Sequence, residues 1–109
     1  MSNFPVEGLP VSLGTVGATA VDVKARPFEV DAFIIVNQTA AEAFVQVFNN
    51  KHADAVVGTP DWFIPLPASG GVAIALPKSV RHSIACSVAC CTTPTGNTPA
   101  NCDVTFFGR

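Results

Sequence analysis

Cys86, Cys90, Cys91 and Cys102 all fall within a seventeen-residue stretch, the densest cluster of chemically able side chains in the chain. Clustered cysteines can ligate zinc, close a disulfide or serve as small buried hydrophobes. The spacing weighs against zinc. No Cys-x-x-Cys pair is present, and the neighbours Cys90 and Cys91 would point to opposite faces of a strand. Cys86 and Cys90 alternate with Ile84 and Val88, which predicts one buried face carrying two free thiols. Cys91 and Cys102 flank a ten-residue loop symmetrically. An antiparallel hairpin would set them opposite each other, so a Cys91–Cys102 disulfide is geometrically open; cytoplasmic synthesis argues against it and an oxidising exterior for it.

The remaining polar candidates are thinner. His52-Ala53-Asp54 could orient a base, and Arg81-His82-Ser83 supplies a second histidine beside a hydroxyl. The letters of a Ser/His/Asp triad are therefore available. A nucleophile elbow such as Gly-x-Ser-x-Gly is absent, and no close pair of carboxylates stands in a credible cleft. Both histidines read as solvated loop residues, and the chain reads as a non-enzyme with no cofactor and no metal. Asn37-Gln38-Thr39 has the letters of a glycosylation acceptor, a chance match where no secretory leader is visible. Gly70-Gly71 lacks the lysine and following helix of a phosphate loop and reads as a turn. Trp62, the only tryptophan, could anchor an interface or stack on a sugar, although a packing role is favoured.

These residues must be positioned by strands. Fifteen Val, five Ile and nine Thr stand against four Leu and one Met, a balance that suits pleated sheet. Nine Pro and eight Gly punctuate the chain at the intervals expected of short strands. Alternation predicts strands over 19–24 and 84–91, a buried apolar run (Phe33 to Val36) marks another over 28–37, and further strands are expected over 72–76, stopped by Pro77, and over 104–107. Thr39-Ala40-Ala41-Glu42 has capping-box spacing, but Phe44-Val45-Gln46-Val47-Phe48 is so dense in strand formers that strand is preferred. Phe63-Ile64-Pro65-Leu66-Pro67 must be an edge or irregular extended segment, because proline cannot donate to a ladder. The expected architecture is all-β: a single sandwich or jelly-roll-like domain of about 6–8 antiparallel strands over 18–109. Residues 1–17, rich in Pro and Gly without period, read as an extended N-terminal arm.

Composition narrows function. Charged residues make up only 13% while hydrophobic residues reach 49%, so much of a small domain's surface must be neutral. Such a surface is normally covered by another molecule. Net charge is −2 with scattered basic residues, which excludes a nucleic-acid partner. The longest apolar run, Ala32 to Val36, falls far short of the ~20 residues of a membrane helix, and no membrane partner is expected. The N-terminus shows no basic start or apolar run, so synthesis in a cytoplasm is expected.

The ordered features Asn37, Phe44-Val45-Gln46-Val47-Phe48-Asn49, Gly58-Thr59-Pro60, Ile64-Pro65-Leu66-Pro67, Gly70-Gly71, Ser83-Ile84-Ala85, Thr92-Thr93 and Val104-Thr105-Phe106-Phe107 resemble the small β-sandwich virion proteins of tailed bacteriophages. These serve as capsid decoration (cement) proteins or as head-to-tail and tail accessories. The resemblance spans roughly residues 30–109. Val80 and Ser83 stand where the pattern would have an aromatic and a glycine, and Phe107 where it would have tyrosine. It implies a virion part that assembles as a homotrimer or ring and binds a major capsid protein or another virion protein. A neck, tail or baseplate component and a host-glycan-binding module are the alternatives. The residues expected to make contact are Phe4, Val6, Leu9, Val11 and Leu13 in the arm, with Trp62.

Overall fold

Eight strands, rich in β-branched and aromatic residues, account for the regular structure among the described residues, which are 9–109 of a computed structural model. They are β1 (Leu9–Val16), β2 (Val21–Lys24), β3 (Phe28–Asn37), β4 (Ala43–Phe48), β5 (Trp62–Leu66), β6 (Gly71–His82), β7 (Cys86–Cys91) and β8 (Cys102–Gly108). Two four-stranded antiparallel sheets form, ordered β1-β8-β3-β6 and β2-β7-β4-β5. Every connection but β4 to β5 crosses from one sheet to the other. This strand order is that of a jelly roll, so the expected all-β sandwich holds.

The core lies between the sheets. Phe28, Val30, Phe33, Ile35, Val104 and Phe106 from the first sheet meet Val45, Val47, Ile64, Leu66 and Val88 from the second. Phe33 and Phe106 pack with ring centroids 5.9 Å apart. Each such side chain contributes roughly 1.5–3 kcal/mol on leaving water. Gly108 is held in β8 because a methyl group there would overlap the Glu29 carbonyl oxygen and the Phe28 ring.

The arm is shorter than expected. Leu9–Val16 forms β1, paired along its length with β8, and Val11 and Leu13 pack against the core. Pro10 and Gly14 had suggested irregular chain, but an edge strand tolerates both: Gly14 takes a positive φ of 69° where the register shifts between Ser12 and Gly14. Phe4 and Val6 lie outside the described residues. A second correction concerns β6. It continues through Pro77 to His82, because the residues around Pro77 bulge out opposite the β3 register shift between Val30 and Ala32. Phe44–Phe48 is strand, as its residue types require, and β5 is an edge strand, where Pro65 is tolerated.

Candidate functional site

Three of the four cysteines share one buried face of β7 and β8, and the sandwich decides their pairing. Cys90 and Cys102 form a disulfide with Cα atoms 6.3 Å apart. Their strands belong to different sheets, so the bond crosses the core and ties one sheet to the other. The expected hairpin does not exist, and this corrects the Cys91–Cys102 pairing. Residues facing the core from β7 meet residues facing it from β8, whereas Cys91 points away from the core and forms an isolated bridge with Pro99. Cys90 is accordingly not a free thiol. Cys86 is free and buried, as expected, and burial with help from the nearby Asp22 pushes its thiol up to about 12. Burial also raises Cys91. Both thiols stay protonated and unreactive at neutral pH. Among the described residues, no group of three or more potential metal ligands comes together. Ile84 does not share the cysteine face. It lies exposed in the turn before β7, where its backbone N–H donates to Asn49 Oδ1 at 2.9 Å.

The two histidines part company. His52 is exposed, as expected, but its partner is Asp22 rather than Asp54: Nδ1 sits 2.8 Å from Asp22 Oδ2, and the His52 backbone N–H donates to Asp22 Oδ1 at 2.7 Å. Burial tends to raise the Asp22 carboxyl, but the two His52 hydrogen bonds and the charges of His52 and Lys51 outweigh it and hold it below its ordinary value. This pair pins the 49–61 loop to β2. His82 contradicts the reading of a solvated loop residue. It ends β6 fully buried, and its Nε2 accepts a hydrogen bond from Trp62 Nε1 at 3.1 Å. Burial lowers the His82 pKa, only partly offset by the Phe28 and Val80 backbone and the Asp61 charge. Trp62 itself is half-buried against Phe33, with ring centroids 6.4 Å apart, which is a packing position. Asn37 is buried: Nδ2 donates to the Ala41 and Pro67 carbonyls while Oδ1 accepts from the Thr39 N–H, so the amide shapes a turn and offers no glycosylation site. No catalytic constellation arises from these groups.

What does emerge is an asymmetry between the outer faces of the two sheets. The β2-β7-β4-β5 sheet is roofed by its own loops. Gln46, fully buried on that face, donates from Nε2 to the Thr93 and Gly96 carbonyls and accepts the Gly58 N–H at 2.7 Å, joining the 49–61 and 92–101 loops. Ser87 adds a bond to the Asn50 carbonyl. Every residue of β7 is therefore buried. The β1-β8-β3-β6 sheet has no such roof among the described residues. Its outward positions carry Pro10, Ser12 and Thr15 from β1, Asp103 and Thr105 from β8, Ile34 and Val36 from β3, and Ala73 and Ala75 from β6. Asp103 is the one charge among them, and Ile34 and Val36 are 38% and 47% exposed. The charged residues Glu29, Asp31, Arg81 and Arg109 gather at the end of that sheet, where Arg81 and Arg109 pair with the two carboxylates. The continuous apolar stretch Phe33 to Val36 was expected to be a buried run, which Ile34 and Val36 contradict; what the sequence lacked was the knowledge of which face the loops cover.

Set against protein-family models, curated proteins and solved structures, the chain matches none of them.

Proposed function

We propose that the protein is a virion structural subunit, most concretely a capsid cement or decoration protein of the tailed-phage kind, with itself and the major capsid protein as partners. One observation carries this reading: the almost uncharged outer face of β1-β8-β3-β6, which no described loop covers while the opposite face is closed by loops. A sheet face with one charge that exposes Ile34 and Val36 is costly to keep in water and is stabilised by docking on a second protein. Jelly rolls recur in viral shells and in lectins, an analogy of architecture that raises the prior without settling function. The action is mechanical: many copies bury this face across capsomer junctions and raise the free energy needed to part them. No catalytic role is included, and no cofactor is required.

Quantitative mass spectrometry of purified particles tests it. Copies in the hundreds support a shell position; about six to twelve would support a ring at the neck, tail or baseplate instead; no copies would defeat the virion reading. A host-glycan module has one feature in its favour, the half-exposed Phe63 set edge-on to Phe44 with centroids 5.9 Å apart on the β4–β5 surface. Glycan-array binding lost in Phe63→Ala would support that second reading.

A further inference from the structure

A sandwich has four edge strands, and three of these carry features that block pairing with another chain. β1 has Pro10 and a register shift at Gly14. β2 is four residues long, holds Asp22 and Lys24 and is also irregular. β5 has Pro65 within it. The fourth, β6, is guarded only in its second half, by Pro77, Lys78 and Arg81. Its first half, Gly71-Val72-Ala73-Ile74-Ala75-Leu76, has neither charge nor proline and is a regular six-residue edge. Such an edge is a template for strand addition.

The direction of its free backbone groups can be read from one bond. The Gly70 carbonyl accepts the Asn37 N–H at 2.7 Å, so Gly70 faces β3. Alternation along the strand turns Val72 and Ile74 to β3 as well, and points the N–H and C=O of Gly71, Ala73 and Ala75 outward. Those three residues have no side chain larger than a methyl to screen them. β3 is the only ladder partner of β6 among the described residues.

We infer that this edge pairs antiparallel with the same edge of a second copy of the chain, about a twofold axis through Ala73. In that register Ala73 faces Ala73 of the second copy, and Gly71 faces Ala75. Each facing pair can exchange both of its hydrogen bonds. Val72 then lies opposite Ile74, an apolar β-branched pair of the kind that stabilises neighbouring strands. No like charges are opposed, and Lys78 falls beyond the paired segment. The axis runs perpendicular to the sheet, so the outer faces of both copies look the same way and the two sheets join into one continuous surface. The contact is twofold in place of the threefold assembly that the resemblance implies. It goes beyond the shell-docking reading, because it can form with no capsid present. A seam of five residues, Gly71 to Ala75, about 17 Å long, lies at the small end of specific interfaces.

Sedimentation of the full chain across micromolar concentrations tests this. A monomer–dimer equilibrium is expected. Ala73→Pro removes one outward N–H, Ala75→Lys adds a charge at the seam, and each should abolish the dimer while leaving the β circular-dichroism signal intact. If Ala73→Pro does not fold, Ala75→Lys decides alone. A wild-type chain that stays monomeric at hundreds of micromolar, or forms a trimer, overturns the inference. So does a folded Ala75→Lys variant that dimerises like wild type. Particle binding by a monomeric variant would leave the proposed function standing while the twofold contact is judged separately.

Discussion

Reducing the Cys90–Cys102 bond should be the largest single perturbation this sandwich can undergo without changing its sequence. The cysteines are separated by 12 positions, and the loop they close crosses from one sheet to the other. Chain-entropy arguments assign a loop of that length about 3 kcal/mol, since the open chain gains that freedom only in the unfolded state. For a domain of roughly 100 residues, each kcal/mol moves Tm by about 4–8 °C, so reduction should lower it by about 12–24 °C. The assay is thermal unfolding by circular dichroism with and without a strong phosphine reductant, coupled to thiol titration in denaturant. Unreduced, unfolded protein should titrate two thiols, Cys86 and Cys91. Cys91→Ala should titrate one and keep the high Tm; if the bridge ran instead from Cys91 to Cys102, the same variant would titrate three. Four thiols in the unreduced wild type, or a Tm indifferent to reductant, would refute the cross-sheet bridge as a stabilising element.

Gln46→Leu removes the amide joining the two roofing loops and strands the Gly58 N–H and the Thr93 and Gly96 carbonyls, so urea denaturation should show a loss of roughly 2–4 kcal/mol. Gly108→Ala should cost more than an ordinary surface substitution, because its methyl must displace the Glu29 carbonyl or the Phe28 ring; a lowered denaturation midpoint checks this. His82 has its folded pKa below its unfolded value of 6.5, so its contribution to stability is full above pH 6.5 and declines as pH falls through 6.5 toward the folded pKa. Within that window folded His82 stays neutral and keeps its bond; the emission of Trp62, the only tryptophan, should report loss of that bond only as pH falls through the folded pKa and Nε2 takes up a proton, and His82→Phe should remove both effects.

The strands were legible in the sequence where strand-forming residues were dense, although the face each residue takes was not always so. Phe28–Asn37 was read with the bounds β3 has, and the strand residues of Phe44–Phe48 outweighed the capping-box letters before them. What alternation cannot convey is which sheet a strand joins. Cys91 and Cys102 look like hairpin partners only if β7 and β8 are neighbours, and in the jelly roll they lie in opposite sheets, which brings Cys90 to Cys102 instead. Proline and glycine misled twice for one reason. Pro10 and Gly14 in β1 and Pro77 in β6 sit on edges beside register shifts, where a missing donor or an unusual φ costs little. Reading Pro77 as a stop put His82 in a loop, and its burial against Trp62 was lost with it. The bare outer face was visible only as a shortage of charge, because its contrast with the roofed face depends on Gln46 gathering two distant loops.

Electron cryomicroscopy of the intact particle tests the central claim most directly. Density for this jelly roll is expected on the shell at capsomer junctions, with the Ile34, Val36 and Thr105 face of β1-β8-β3-β6 turned toward the capsid protein. Density confined to the tail, a shell contact made through the 49–61 and 92–101 loops with the bare face left in solvent, or no such density in the particle would contradict it.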